Sequence, residues 1–173
     1  MSSAPGTIPP APGVSKATTP CSPLGLIIPD LGVDASVVPV GLAADGSLGT
    51  PSDADKRKAG WFPNSVLAGS TRGTVIMDGH TYHDQSAIFR TDFNVRARAG
   101  MAVRLVCVTG NTFDYVTSEV VTDLSPSQYD AFVANHLLYA TDGPPKVVIV
   151  TCTGWSPIIR QYQSRGVLIA VPG

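Results

Sequence analysis

Short β-rich runs, abundant turn formers and scarce charge predict an all-β-dominated domain. A closed or nearly closed barrel, or a sandwich, is the natural architecture, with one or two short helices attached. Gly and Pro supply 32 of the 173 residues. Charged residues are 14%, against about 25% in an average globular protein. So much Gly and Pro, with so little Glu, Lys and Arg, disfavours a coiled coil or a helical bundle. The length suits one domain and is enough to bury a core unaided.

The elements follow in chain order. Residues 24–28 are apolar and stop at Pro29. Residues 35–42 carry Val37, Val38 and Val40 and lead to the turn signal Asp45-Gly46. Residues 74–77 are β-branched and run into Asp78-Gly79-His80. Residues 102–109 read as a strand, Gly110-Asn111 as a turn, and 112–122 as the hairpin partner. Residues 147–152 are continuously apolar until Thr151, the pattern of a buried strand. A last strand spans 166–171, which gives seven or eight in all.

One helix has a clear start. Ser125 is placed to cap it, Pro126 fits its first position, and Gln128 completes a capping box. Tyr129, Phe132 and Val133 then share one face. A second short helical turn is expected at 85–89.

Residues 1–23 differ from the rest. They hold Pro5, Pro9, Pro10, Pro12, Pro20 and Pro23, with Lys16 as their single charged side chain. Such a stretch reads as an extended linker or N-terminal arm, leaving 24–173 as the globular domain. An arm packed through Ile8 and Val14 is the other reading.

Charge and composition exclude several functions. A net charge of −1 supplies no basic surface for nucleic acid. Three cysteines in this length do not make a disulfide framework. The N-terminus has no basic segment followed by an apolar run, and no apolar window reaches the ~18 residues that span a bilayer.

Reactive side chains are few. Cys107 is in phase with Val103 and Leu105, as a small core residue would be. Cys21 lies in the Pro-rich stretch, outside the expected core; a Cys21–Cys107 bridge stays open. Cys152 ends a buried strand beside the turn Thr153-Gly154-Trp155, where a nucleophile is both held and accessible. A thiol needs a proton acceptor and an oxyanion partner to do acyl transfer. His80 also sits at a strand end, and Arg165 immediately precedes the strand expected to pair with that of Cys152. Arg160 falls mid-loop and reads as a solvated charge. His136 falls at the helix C-terminus, where an imidazolium favours the dipole.

These residues resemble the sortases, cysteine transpeptidases of Gram-positive surfaces. The family signature Thr-Leu-x-Thr-Cys is similar to Val148-Ile149-Val150-Thr151-Cys152, with Val and Ile departing from its first two positions. Gly79-His80 matches the family's histidine, 72 residues before Cys152, and Arg165 its arginine, 13 residues after. The likeness runs from Leu24 to Val171. Residues 28–35 look like the family's opening strands. The stretch from Val40 through Gly60-Trp61 and Ser86-Ala87-Ile88-Phe89 look like the actinobacterial class F, with class E the near alternative.

The resemblance implies an eight-stranded sortase-type barrel and cleavage of a Leu-Pro-x-Thr-Gly-like sorting signal between Thr and Gly. Cys152 would form the thioester, His80 would move protons, and Arg165 would hold substrate and oxyanion. Thr151 would touch substrate or supply a hydrogen bond, and Leu137 and Leu138 are candidates for gripping Leu-Pro. The acceptor would be a peptidoglycan-precursor amine or a pilin lysine. No cofactor or metal is implied. The expected form is a monomeric ectodomain at the outer membrane face, anchored by an upstream segment that the sequence lacks.

Two alternatives compete. Asp78, His80, His83 and Asp84 could gather a zinc ion for a metal-dependent hydrolase, although no further ligand set is evident. A non-catalytic β-rich surface binding module would explain the composition but leave Cys152, His80 and Arg165 as coincidence.

Overall fold

The computed structural model describes residues 19–173 together with Gly6 and Ile8. Its strands are β1 (Pro23–Ile28), β2 (Val33–Pro39), β3 (Ala59–Trp61), β4 (Thr74–Asp78), β5 (Ala102–Cys107), β6 (Thr112–Leu124), β7 (Lys146–Ser156) and β8 (Gln161–Pro172). They close into a barrel in the order β1-β2-β3-β4-β7-β8-β6-β5. β2 with β3 and β4 with β7 pair in parallel; the other neighbours are antiparallel. Closure removes free sheet edges.

Alternation along the strands fills the interior. Leu26 and Ile28 of β1, Val75 and Met77 of β4, Val103 and Leu105 of β5, and Val147 and Ile149 of β7 join one buried cluster. The intervening β7 residues, Val148 and Val150, face outward but join a second cluster with Val167, Ile169 and Leu138. A helix, α2 (Pro126–Asn135), covers that cluster through Tyr129, Phe132 and Val133. With both faces covered, β7 reads as an unbroken apolar run.

The start of α2 matches its sequence signature. Gln128 N–H donates to Ser125 Oγ, and Ser125 N–H donates to Gln128 Oε1. His136 caps the other end, its ring stacked on Phe132 at 3.9 Å.

The expected turn Thr153-Gly154-Trp155 is strand instead: β7 runs on to Ser156 and β8 starts at Gln161, so Cys152 and Arg165 lie within strands. The structure differs from the sequence reading in three further places. No helix forms at 85–89. Asp84 accepts from the Ser86 N–H and hydroxyl, and Gln85 takes φ 64°, which a right-handed helix cannot contain. The helical turn lies later, as α1 (Phe93–Arg96). β3 carries no alternation, because all three of its residues are buried.

The third difference is at the N-terminus. Cys21 and Ala68 exchange two backbone hydrogen bonds of 3.0 Å, and Cys21 is disulfide-bonded to Cys107. Cys107 is therefore buried, as its phase implies, but it is bridged rather than a free core thiol. The last residues of the Pro-rich stretch thus belong to the barrel. The rest of residues 1–18 apart from Gly6 and Ile8, Val14 included, lie outside the described residues.

Candidate active site

Two strand pairings bring three predicted residues together. In the antiparallel β7–β8 pair, Cys152 stands directly opposite Arg165. Directly opposed residues point to the same face, with Cβ atoms about 4.5–5.5 Å apart. In the parallel β4–β7 pair, Asp78 aligns with Val150. His80 follows Asp78 by two residues, as Cys152 follows Val150, so the two reactive side chains reach the same end of the sheet. Gly79 N–H donates to Val150 O at 3.1 Å and holds the chain to β7 one residue past β4.

The turn carrying His80 is fixed from three sides. Thr151 Oγ1 donates to Gly79 O at 2.8 Å and accepts from Thr81 Oγ1 at 2.5 Å. A Cβ on Gly79 would lie 2.9 Å from the Phe89 ring, so that position needs glycine. The His80 Nε2 lies 2.5 Å from Pro51 O. A carbonyl only accepts, so a neutral His80 carries its proton on Nε2 and leaves Nδ1 as the basic atom.

Cys152, His80 and Arg165 line one cavity of about 570 Å³, with Asp78, Tyr129 and Tyr139 on its wall. Leu42, Leu48, Phe62, Ile76 and Val133 supply apolar surface to it. A second cavity of about 460 Å³ is lined by His83, Arg90, Trp155 and Tyr162 among others. Among the described residues, Cys152 is the one that borders both.

Burial pushes the Cys152 thiol above its ordinary pKa; the Arg165 charge pulls it down and Asp78 adds to the rise. Burial also pushes the Asp78 carboxyl up to about 7. The Tyr129 and Tyr139 hydroxyls bond to each other, joining α2 to the loop before β7. Both phenols are held above their usual range, mainly by burial.

Other predicted residues fall elsewhere. Thr151 is buried on the cavity wall with its hydroxyl engaged by Gly79 and Thr81. Leu138 is fully buried in the outer cluster and Leu137 is exposed; neither borders the cavity. Tyr129, Val133 and Tyr139 occupy the wall where those leucines were expected. Helical spacing singled out Tyr129 and Val133, but as a packing face, and no sequence signal marked Tyr139. Arg160 lies exposed in the turn between β7 and β8.

The proposed zinc cluster is not gathered. His80 faces the first cavity, whereas His83 stacks on Trp155 at 4.2 Å in the second. Among the described residues, no three His, Cys, Asp or Glu side chains converge to hold a metal.

Comparison with known proteins agrees with the barrel fold. Sortase C-1 from Actinomyces oris is 17% identical and aligns over 86% of this chain and 72% of its own, with TM-score 0.62. A lid mutant of sortase A from Corynebacterium diphtheriae is 14% identical, over 90% and 72%, with TM-score 0.62. Sortase C1 from Streptococcus suis is 14% identical, over 88% and 73%, with TM-score 0.61. Identities this low carry the fold alone. No curated protein matches the chain in sequence. The model of the sortase domain matches residues 26–172. The chain belongs to the sortase family and is a sortase-type cysteine transpeptidase.

Proposed function

We propose that this enzyme cleaves a Leu-Pro-x-Thr-Gly-like sorting signal between Thr and Gly and passes the acyl group to an amine of the cell wall. The observation that carries this reading is the convergence of Cys152, His80 and Arg165 on one cavity through the β4–β7 and β7–β8 registers. A class F assignment is the finer part of the proposal and rests on the stretches around Gly60-Trp61 and Ser86-Ala87-Ile88-Phe89.

The steps follow from the side chains. The buried thiol holds its proton tightly, so that proton must leave as attack begins; Nδ1 of His80 is the base left to take it. Cys152 Sγ bonds to the Thr carbonyl carbon, and the guanidinium of Arg165 stabilises the oxyanion. The C–N bond breaks, the imidazolium gives its proton to the Gly amine, and a thioester remains. An incoming amine then bonds to the same carbon, His80 takes its proton, the C–S bond breaks, and the imidazolium returns that proton to Sγ to restore the thiol.

The acyl chain fills the first cavity at that stage. The second cavity, which meets the first at Cys152, leaves a route for the amine past Trp155. A peptidoglycan-precursor amine is the proposed acceptor, with a pilin lysine as the alternative, and the outer membrane face the proposed location.

Mass spectrometry of the protein incubated with a sorting-signal peptide tests the reading. The expected result is Thr–Gly cleavage, with the acyl mass on Cys152. Cys152→Ala is expected to abolish cleavage and His80→Ala nearly so. Arg165→Ala is expected to cost about 10²–10³-fold, the scale of a lost oxyanion donor, and Arg160→Ala far less. Absence of both adduct and cleavage across several signals would refute the reading, and equal losses at Arg160 and Arg165 would refute the role given to Arg165.

A further inference from the structure

Asp78 is hard to explain as a structural residue. It is 3% exposed, and its Oδ1 is buried without a hydrogen-bond partner. Among the described residues no ion pair includes it. Burial of an unpaired carboxyl is unfavourable, and folding alone gains nothing from it. The barrel nevertheless makes room for this group. Gly60 on β3 is its partner across the β3–β4 pair. A Cβ at Gly60 would lie 2.1 Å from Asp78 Oδ1 and 2.8 Å from Val40 Cγ1, so the missing side chain is the space the carboxyl uses. The same carboxyl borders the first cavity, between Ile76 and the reactive residues.

Its position follows from strand register. Asp78 aligns with Val150, two residues before Cys152. At about 3.3 Å per residue this puts it about 7 Å along the sheet from the nucleophile. An extended peptide joined to Sγ covers that distance within its first two or three residues. A signal presenting only apolar atoms there would seal the carboxyl from water and leave it unpaired. A signal presenting a donor would satisfy it.

We propose that Asp78 is a specificity residue: it accepts a hydrogen bond from a side-chain hydroxyl, amide or ammonium of the sorting signal, at one of the three positions before the acylated Thr. This rests on the transpeptidase reading above and refines it, because the cavity is then not a purely apolar grip for Leu-Pro. Burial that holds the carboxyl up to about 7 agrees with a group whose Oδ1 has no hydrogen-bond partner among the described residues. Sites built to hydrogen-bond a substrate reject the analogue lacking the donor by large factors, because the buried protein group is left unpaired.

The test is a cleavage profile over peptides in which each upstream position carries Thr or its isostere Val. The wild-type chain is expected to prefer Thr over Val at least tenfold in kcat/KM at one position. Asp78→Leu is expected to erase or invert that preference there while Cys152 still reacts with a small thiol reagent; Asp78→Ala serves where the leucine variant does not fold. Wild-type cleavage with no donor preference at any upstream position overturns the inference, whatever the variants do. A preference that survives in either variant overturns it too. If the wild type cleaves none of the peptides, the transpeptidase reading has failed instead, so the two failures are distinguishable.

Discussion

The thiol of Cys152 sits between two opposing charges, and the sign of each is measurable. Burial raises its pKa first, Arg165 lowers it and Asp78 raises it. Alkylation by iodoacetamide should therefore titrate above the ~8.5 of a free cysteine. Arg165→Ala should move the midpoint further up, and Asp78→Asn should move it down. Shifts of the opposite sign, or none in either variant, would contradict the placement of these charges. Asp78 also has a stability signature. Its pKa rises from 3.8 to about 7 on folding, so folding takes up a proton between those values. Its contribution to stability then declines as pH rises from about 4 to 7. Asp78→Asn should remove that decline, seen as a flatter dependence of urea stability on pH across this window. At this scale Cys152, His80 and Arg165 were legible in the sequence because local pattern marks their strands, although Cys152 and Arg165 stand within β7 and β8 rather than at strand ends. The carboxyl of Asp78 was visible as a residue but not as an orphan. Its isolation depends on Gly60 of β3 and on Val40, just past the end of β2.

Elements reveal themselves in sequence where their signals are local. The capping box of α2 lies within four consecutive residues, and both of its hydrogen bonds form. Removing it is a clean experiment, since the side-chain hydrogen bonds of Ser125 go to its own helix start, to Ser127 and Gln128. Ser125→Ala should lower unfolding free energy by about 1 kcal/mol, the usual cost of a lost N-cap, with an unchanged denaturant slope. A loss near zero would mean that α2 contributes little to the cooperative unit. α2 buries none of its own residues fully, and it is held by Tyr129, Phe132 and Val133 on the outer cluster and by the Tyr129–Tyr139 hydroxyl pair. Elements fail to show where tertiary context decides. β3 is three residues of continuous burial between β2 and β4, with no period to detect. The 85–89 stretch, expected as a helical turn, carries three adjacent apolar residues, and the Asp84–Ser86 hydrogen bonds and the left-handed Gln85 send the chain elsewhere.

Closure of the barrel belongs to the whole molecule, and so does the cross-link that secures it. β1 is held between β2 and β5, making it part of the seam that joins the two ends of the chain's first half. The Cys21–Cys107 disulfide ties the residue just before β1 to the end of β5 across 86 positions of sequence. Nothing in the spacing of three cysteines announces this, because the pairing exists only after β1 and β5 have become neighbours. A bond across so long a segment restricts the unfolded chain strongly, and removal of a native disulfide typically costs about 2–4 kcal/mol. For a domain of this size each kcal/mol corresponds to roughly 2–4 °C of Tm. Reductant should therefore lower Tm by about 5–15 °C. The double variant Cys21→Ser, Cys107→Ser should start near the lowered value and ignore reductant, which separates the bond from any other effect of the reagent. Cys152 is not part of the bridge, so the double variant should still form the acyl adduct below its Tm. An unchanged Tm under full reduction, verified by thiol counting, would show that the seam holds without the bond. A large loss would fit a protein working where disulfides persist, as the proposed location outside the membrane requires.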